Sequence, residues 1–314
     1  MFGLSIVTAA MESPDRFLYA SDHPGFLALT QETWQNRWFP SQISLHEDSD
    51  EVRLLSPTDR EFYQFLFTFL GMAESLVNFN IEDLVKEFSN HDVTHYYAEQ
   101  VAMENIHGKV YANILNLFFG GNRGDLMIYA KKIVEDATLA KKIDWLHSRV
   151  RKATTRAEKV LLFLVIEGIY FISSFYSIGL FRLRGIMRGV CLANDYISRD
   201  ELLHTRAASL LYNTMISRDE SPSVAYIHGL FREAVEIETL FIRSKSRDVT
   251  MVNVGDIEQF LQATADRILK SINIPPLFGA RPPNACPLSY TSAKSVNFFE
   301  RDNSEYVTSV HNDL

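Results

Sequence analysis

The chain has 314 residues, of which 46% are hydrophobic and 12% aromatic, enough apolar material to bury a large core in one domain or two. This composition excludes a wholly disordered chain. The formal net charge of −8 gives no sequence-wide electrostatic reason to bind nucleic acid or an anionic membrane, so we expect neither.

Cysteine usage and the N-terminus indicate where the protein works. Cys191 and Cys286 stand in no metal-binding spacing, and the first residues do not resemble a secretory signal. We therefore expect a reducing intracellular compartment. Residues 160–181 are long and apolar enough to cross a membrane, but Glu167 lies near their middle. Since other predicted helices offer matching carboxylates, we expect a buried core helix and no membrane span.

Composition divides the chain into three parts. Prolines interrupt any long helix in residues 1–45, which we predict to be an irregular N-terminal arm with short helices. The helical domain is expected over residues 46–275, because Pro275 and Pro276 end the helical pattern. Residues 276–314 are rich in proline, serine, asparagine and charge, which predicts a flexible C-terminal tail.

Apolar residues recur three and four positions apart in most of the middle part, which predicts α-helices joined by short connections. Ser56 or Thr58 is a candidate N-cap for the first long helix. We predict four long helices around one polar centre. The predicted helices, including shorter ones, run from Ser56 towards Phe88, from Asp92 to Phe119, from Asp125 to about Arg149 in pieces, from Thr155 to Leu183, from Ser198 to Ile216, from Ser223 to about Arg243, and from Val254 to Ser271.

The pattern Glu-x-x-His occurs twice, at Glu104–His107 and Glu201–His204. Positions three apart lie on one face of a helix, so each pair can direct a carboxylate and an imidazole at one point. A single pair is a weak indication, since chance pairs on exposed faces are common. Two related patterns, Asp92–His95 and Asp144–His147, lie in more polar surroundings, where we expect solvated or capping roles.

Two further acids, Glu74 and Glu167, lie in apolar predicted helices without a basic residue nearby in the sequence. Alone, either acid is also explained as a protonated or distantly paired core residue. Together with the two Glu-x-x-His pairs they complete the ligand set of a di-iron carboxylate bundle. Four carboxylates and two imidazoles suit two iron or manganese ions. The predicted ligands are Glu74, Glu104, His107, Glu167, Glu201 and His204.

Tyr111 stands four residues after His107, about one helical turn along the same face, which places its phenol beside the predicted metals. From position alone, an ordinary core aromatic is the simpler interpretation. Phe171, Phe175 and Ile197 lie at helical spacing from other predicted ligands. We expect them to form an apolar wall that keeps water and reductants away from an oxidised phenol.

These motifs resemble the small subunit of class I ribonucleotide reductase, most closely the herpesvirus type. The resemblance implies an all-α, ferritin-like helical bundle with four ligand-bearing helices plus accessory helices. It implies that the six ligands bind two iron ions, or a manganese and iron pair, and that dioxygen chemistry forms a radical on Tyr111. The matching segments cover most of residues 56–216 and the extreme C-terminus, namely AEQVAMENIHGKVYANIL, VIEGIYFISSFYSIGLFRLRG, CLANDYISRDELLHTRAASLLYN, and NFFERDNSEY with the terminal NDL.

The same resemblance implies a route out of the metal centre. In the family, the oxidising equivalent travels to a cysteine of the large subunit, where ribonucleoside diphosphates are reduced to deoxyribonucleoside diphosphates. Trp38, Asp200 and Tyr306 match the relay tryptophan, the relay aspartate and the tail tyrosine, and His107 would connect the first two to the metal. Without the resemblance they would be a core anchor, a helix-start residue and a tail side chain.

The resemblance also implies partners. Residues 307–314 resemble the peptide with which herpesvirus small subunits dock on the large subunit, and a short peptide with an apolar end suits capture in a groove. The family forms homodimers through bundle helices, and a viral member would work in the cytoplasm of the infected cell. The tail after Tyr306 is shorter than in cellular relatives, which restricts its reach.

Two other functions are consistent with parts of the sequence. A substrate oxidase, desaturase or ferritin-like ferroxidase would use the same ligands, but it would need no exit route through Trp38 and Tyr306. A non-catalytic binding subunit with a disused metal site would hold no metal. One departure from the family pattern is Glu74, where many members have Asp, and it leaves the coordination at that position and the choice of metal open.

Overall fold

The computed structural model describes residues 18–288, apart from the side chains of Ser75, Leu76 and Phe79, and this part of the chain contains no β-strand. The predicted all-α class is therefore confirmed. Within the described residues, a short 3-10 turn at Pro40–Gln42 follows the first of eleven α-helices, which are α1 (Pro24–Gln35), α2 (His46–Leu54), α3 (Pro57–Val85), α4 (His91–Phe118), α5 (Arg123–Val134), α6 (Ala137–Lys152), α7 (Arg156–Gly168), α8 (Ile172–Arg184), α9 (Arg188–Met215), α10 (Val224–Lys245) and α11 (Val254–Ser271).

The starts of the first two long helices follow from local sequence. Ser56 precedes Pro57, and its hydroxyl accepts a hydrogen bond from the Asp59 amide at 3.1 Å, which caps α3. Asn90 caps α4 in the same way through the Val93 amide, at 3.0 Å. The predicted cap at Ser56 is therefore present, and α4 begins one residue before the predicted start at about Asp92.

Four helices form the centre of the fold. α3 packs along α4, α9 packs along α7, and each of these pairs also contacts the other. α1 lies against α4 and α9 on one side, whereas α11 contacts α7, α8 and α9 on the other. The facing apolar side chains form one buried cluster, whose removal from water is the main driving force for folding. Three of the four helices predicted to be long are long in the structure, namely α3, α4 and α9.

The single helix predicted from Thr155 to Leu183 is wrong, because the structure divides it into α7 and α8. The amides of Ile169 and Tyr170 both donate to the Val165 carbonyl, over 3.0 and 3.2 Å, so the hydrogen-bond register slips by one residue. Every residue from 160 to 171 is buried. The apolar pattern therefore continues through the break and cannot reveal it.

The helical stretch Arg156–Arg184 is the one segment among residues 18–288 that has the length and hydropathy of a membrane span. Of its most apolar window, 89% is buried inside the protein. Such burial is typical of a core helix in a bundle, since a membrane-facing helix would present apolar side chains outwards. The finding agrees with the core helix expected from the sequence.

The helix predicted to begin at Ser198 begins earlier, at Arg188. The residue before this helix, Met187, is in the left-handed region with φ of 56°, and its side chain accepts no hydrogen bond from a backbone amide. The helix is therefore not capped by an adjacent residue. Instead, the carboxylate of Asp48 on α2 accepts two amide hydrogen bonds there, at 3.1 and 2.7 Å, and Glu51 accepts a third at 2.5 Å. Capping by a different helix leaves no signature beside the start of α9.

The two Asp-x-x-His patterns have the roles expected for them, with one difference. Asp144 and His147 are exposed on α6. Asp92 instead binds the segment that precedes α1, and it is buried rather than solvated. Its carboxylate accepts hydrogen bonds from the Tyr19 hydroxyl at 2.5 Å and the His23 amide at 2.7 Å. Although burial raises the pKa of Asp92, these bonds outweigh it and lower that pKa.

The division into parts at residues 45 and 275 stays a prediction. The first part contains α1, a regular helix that is packed on the bundle. Of residues 276–314, the structure describes those up to Leu288, whose side chain is buried. Leu277 and Phe278, from the same part, donate backbone hydrogen bonds to Asp266 of α11, at 2.6 and 2.9 Å.

Candidate metal centre

The six predicted ligands come together at the centre of the bundle. α3 supplies Glu74 and α7 supplies Glu167, whereas α4 and α9 each supply a Glu-x-x-His pair. None of the six side chains is more than slightly exposed, and Glu74 has the largest exposed fraction, 8%. Four separate helices therefore direct six metal-binding groups at one buried volume.

His107 faces three carboxylates through one nitrogen. Its Nδ1 atom is 3.0 Å from Oε2 of Glu104, 3.4 Å from Oε1 of Glu201 and 3.8 Å from Oε2 of Glu74. These four residues can each offer one ligand atom within 4.8 Å of the others. Carboxylate oxygens and an imidazole nitrogen are suitable ligands for iron or manganese.

His204 faces a matching set. Its Nδ1 atom is 3.0 Å from Oε1 of Glu104, 3.4 Å from Oε2 of Glu201 and 3.6 Å from Oε2 of Glu167. Glu104 and Glu201 thus turn one oxygen towards each histidine, and we call them the shared carboxylates. Glu74 and Glu167 each face one histidine only, and we call them the outer carboxylates. Two four-ligand groups with two common members are the arrangement that two bridged metal ions require.

The electrostatics of the cluster also favour cations. Burial raises the pKa of both outer carboxylates well above the usual value, and a shared carboxylate beside each adds to it. The pKa of each shared carboxylate is lowered, because the facing imidazoles outweigh burial. Burial lowers the pKa of the two imidazoles, but the carboxylates outweigh it and raise that pKa strongly. Four buried acids therefore need positive charge, which protonated imidazoles or metal ions supply.

One orphaned atom supports the fit of a metal. Among residues 18–288, Oε2 of Glu167 is buried and has no hydrogen-bond partner, although it points towards His204. An unsatisfied carboxylate oxygen is costly in a protein interior. A metal ion between Glu167 and His204 would satisfy it, so the residues present fit the predicted group.

Gln100 is a site residue that the sequence analysis did not single out. It is buried on α4, and its amide nitrogen is 3.1 Å from Oε1 of Glu167 and 3.4 Å from Oε1 of Glu104. It lies one helical turn before Glu104. That spacing places Gln100 on the same helix face as the predicted ligands. A neutral glutamine does not by itself indicate a metal site, however, and its contact with Glu167 of α7 is visible only in the structure.

Tyr111 lies on α4 one turn after His107 and is 2% exposed. Its hydroxyl has no hydrogen-bond partner among the described residues. Burial raises the pKa of Tyr111 well above its usual value, and the nearby charge of Glu74 raises it further. The predicted wall residues Phe171, Phe175 and Ile197 are all buried. The phenol is therefore neutral and shielded from solvent.

A ring that the sequence analysis missed also adjoins Tyr111. The centroid of Phe67, on α3, is 6.4 Å from that of the tyrosine. Gly71 lies one turn further along the same helix, and a Cβ atom placed on it would lie 3.4 Å from Cβ of Tyr111. α3 therefore approaches the tyrosine closely, a contact that no spacing within α4 predicts.

Trp38 and Asp200 are adjacent to the cluster. The indole Nε1 of Trp38 donates to Oδ2 of Asp200 at 2.7 Å, and the same oxygen is 3.1 Å from Nε2 of His107. The Trp38 ring stacks on Tyr196, with centroids 5.0 Å apart. Although burial raises the pKa of Asp200, its bond to His107 outweighs this and lowers that pKa. A continuous hydrogen-bonded path thus joins the indole to a predicted ligand.

Tyr306 and the docking peptide at residues 307–314 lie outside the described residues. Their predicted roles therefore stay predictions. Of the four residues predicted to transfer the oxidising equivalent, the structure brings Trp38 and Asp200 next to His107, and it places Tyr111 on the same helix as His107.

Comparison with known proteins gives a consistent result. The family model described as "Ribonucleotide reductase, small chain" matches residues 16–287. The ribonucleoside-diphosphate reductase small subunit of Human herpesvirus 8 type P (isolate GK18) is 70% identical over 305 residues, which are 97% of this chain and 100% of the viral protein. The likeness therefore extends over nearly the whole of both chains.

Solved structures have the same fold. The Rnr4 homodimer of Saccharomyces cerevisiae matches with a TM-score of 0.75 and 22% identity, over 92% of this chain and 88% of that chain. The dimanganese(II) form of NrdF from Streptococcus sanguinis matches with a TM-score of 0.74 and 19% identity, over 83% of this chain and 92% of that chain. These likenesses confirm the predicted ferritin-like helical bundle.

Proposed function

The chain belongs to the ribonucleotide reductase small-chain family, and we propose that its metal centre forms a radical on Tyr111 for use in the large subunit. Its function is that of a ribonucleoside-diphosphate reductase small subunit, so it is part of an oxidoreductase. One observation carries the proposal for the site. The shared carboxylates Glu104 and Glu201 present one oxygen to each of two histidines, as a pair of metal ions requires.

We propose two iron ions as the native metals. One ion would be held by Glu74, His107 and the shared carboxylates, and the other by Glu167, His204 and the same two carboxylates. Such ions, when bound in their reduced form, would provide the reaction with dioxygen that yields an oxidant for a neighbouring phenol. A manganese and iron pair is the alternative that the same ligand types accept.

The protein's part in the oxidation is to protect the product. Tyr111 is buried, and its hydroxyl has no partner among residues 18–288. An oxidised phenol in this position meets neither bulk water nor a soluble reductant. The burial of Tyr111 and the adjoining ring of Phe67 exclude both, which favours a long-lived radical.

We propose that Trp38 and Asp200 carry the oxidising equivalent away from the centre. An electron cannot cross tens of ångströms in one step, so aromatic stations are needed along its route. When Trp38 is oxidised, its Nε1 proton has an acceptor in Oδ2 of Asp200 at 2.7 Å. Asp200 also bonds to His107, so the residue that accepts the indole proton is in direct contact with a predicted metal ligand.

The proposed assembly includes two protein partners. Tyr306 would continue the route across the interface with the large subunit, and residues 307–314 would dock there as a short peptide. We also propose that the chain forms a homodimer, as its yeast structural neighbour does. The expected location is the cytoplasm of an infected cell, given its likeness to herpesvirus proteins.

Electron paramagnetic resonance tests this function directly. The metal-free protein is loaded with iron(II) and exposed to oxygen, which should produce a tyrosyl radical signal that is absent in Tyr111→Phe. Tyr97→Phe is the matched control, because Tyr97 is another buried tyrosine of α4 whose hydroxyl has no partner among the described residues. A radical that persists without the Tyr111 hydroxyl, or none in the loaded wild type, would contradict the proposal.

A further inference from the structure

A buried ion pair lies beside the break between α7 and α8, outside the metal centre. Lys142 of α6 and Glu238 of α10 are 4% and 0% exposed, and their Nζ and Oε2 atoms are 2.6 Å apart. The centroids of the Phe69, Phe241 and Tyr170 rings lie 4.4, 4.5 and 5.0 Å from the ammonium. Burial of two charges is costly, and an apolar pair of similar volume is often as stable. The pair is therefore expected to do more than stabilise the core.

Each member of the pair bonds one side of the break. Lys142 donates to the backbone carbonyl of Tyr170 at 2.5 Å. Glu238 accepts a hydrogen bond from the hydroxyl of Ser173, the second residue of α8. The N-cap residue of α8 is Phe171, which offers no side-chain hydrogen bond. Lys142 thus satisfies a backbone carbonyl that the interruption of the helix would otherwise leave open, and Glu238 holds the start of α8 through Ser173.

The break follows directly on a predicted metal ligand. Glu167 is the last residue but one of α7, and its two carboxylate oxygens face Gln100 at 3.1 Å and His204 at 3.6 Å. In a continuous helix, the amide of Phe171 would bond to the Glu167 carbonyl. The observed backbone slips by one residue instead, as in a π-type turn. The direction of the last turn of α7, and of the Glu167 side chain, therefore depends on how the break is held.

We propose that Lys142 and Glu238 are positioning residues for Glu167: by holding the break, they place its carboxylate for the metal ion on the His204 side. The inference rests on the proposed function, which makes the cluster a metal site, and adds to it a support from two helices that supply no ligand. Irregular turns of this kind occur frequently at functional sites, and they leave out regular helix hydrogen bonds that other groups can replace. Residues behind metal ligands commonly change affinity tenfold or more.

Titration of the full-length, metal-free protein with Co(II), followed by the visible absorption of the bound ion, tests the proposal. The wild type should bind two ions per chain. Lys142→Met should bind the ion on the His107 side as the wild type does, and the ion on the His204 side about tenfold more weakly. Lys245→Met is the matched control: Lys245 also pairs with an acid, Asp136, and lies over an aromatic ring, but it does not bond the break. Its titration should match the wild type.

Two further variants separate positioning from folding. Lys142→Met combined with Glu238→Gln leaves no unpaired buried charge, yet the Tyr170 carbonyl still loses its donor, so the selective weakening should remain. Ser173→Ala removes one hydrogen bond and should weaken the same ion several-fold. The melting temperature of each metal-free variant shows whether it is folded.

Three outcomes distinguish the explanations. Selective weakening on the His204 side in the folded variants supports the positioning role. Wild-type affinity for both ions in the double variant and in Ser173→Ala, or equal weakening of both ions, overturns it. A wild-type protein that binds fewer than two Co(II) ions would instead contradict the proposed function, so failure of one proposal is not mistaken for failure of the other.

Discussion

Trp38 and Asp200 are joined by a hydrogen bond of 2.7 Å, although 162 positions separate them in the sequence. Both side chains are buried. The indole nitrogen can only donate, so the carboxylate must accept. Burial raises the pKa of Asp200, but the bond to His107 outweighs burial and lowers that pKa, which keeps the carboxylate ionised. The pair therefore forms a defined contact between the N-terminal segment and helix α9, which carries the predicted ligands Glu201 and His204.

This contact predicts the behaviour of Trp38→Phe. Phenylalanine keeps an aromatic ring beside Tyr196 but has neither the N–H donor nor the low oxidation potential of tryptophan. We expect a normal yield of the Tyr111 radical and loss of nucleotide reduction with the large subunit. Radical content by electron paramagnetic resonance and deoxynucleotide formation are measured on the same sample.

The control for this experiment is Trp145→Phe. Trp145 also donates its indole N–H to a carboxylate at 2.7 Å, that of Glu233, but it lies on α6. It should leave both measurements unchanged. Wild-type turnover in Trp38→Phe would remove this residue from the route.

The sharing of carboxylates predicts different metal losses at Glu201 and Glu74. Glu201 serves both four-ligand groups and Glu74 only one. After reconstitution, Glu201→Ala should hold fewer than about one metal ion per chain, whereas Glu74→Ala should retain about one. Elemental analysis measures both, and Glu258→Ala, which removes a surface acid paired with Arg243, is the control. Equal metal content in the two ligand variants would contradict the shared geometry.

Tyr306 lies outside the described residues, and its role can be tested without structural information. Tyr306→Phe should leave the Tyr111 signal intact, because the metal centre is unchanged, and it should stop turnover with the large subunit. Binding to the large subunit is measured in parallel and should be normal, since the docking peptide at residues 307–314 is retained. Turnover at the wild-type rate would refute the assignment of Tyr306 to the route.

Asp48, which caps α9, predicts a dependence of stability on pH. Burial raises its pKa to about 6, with Glu51 and Glu47 adding to the rise although the bonded amides oppose it. Because the folded pKa exceeds the usual value of 3.8, the folded state favours protonated Asp48. Its stabilising contribution is complete below about pH 4 and is lost as the pH rises through about 6.

Asp48→Asn removes this titration. From about pH 5 to about pH 8, the free energy of unfolding of the variant should rise relative to that of the wild type by about 1 kcal/mol. Urea unfolding of the metal-free proteins measures the difference. Asp50→Asn is the control on the same helix, because Asp50 is exposed, and it should show no such trend. A difference between Asp48→Asn and the wild type that is constant over this pH range would contradict the account.

Much of the metal centre was predictable because its signals are local. Two Glu-x-x-His pairs share a helix face by virtue of the 3.6-residue period, and an acid such as Glu167 is conspicuous in an apolar run. Tyr111 follows His107 by one turn for the same reason. The caps at Ser56 and Asn90 are equally local, since each bonds an amide only three residues away.

Contacts between distant segments were decided only by the tertiary structure. That Glu104 and Glu201 each face both histidines depends on how α4 and α9 pack, and no spacing within either helix encodes it. The break after Gly168 is hidden because buried residues continue through it, and Lys142 and Glu238 meet there from two other helices. Hydrogen-bond registers and side-chain periods act over a few residues, whereas the choice among packings depends on burial and charge summed over the whole core.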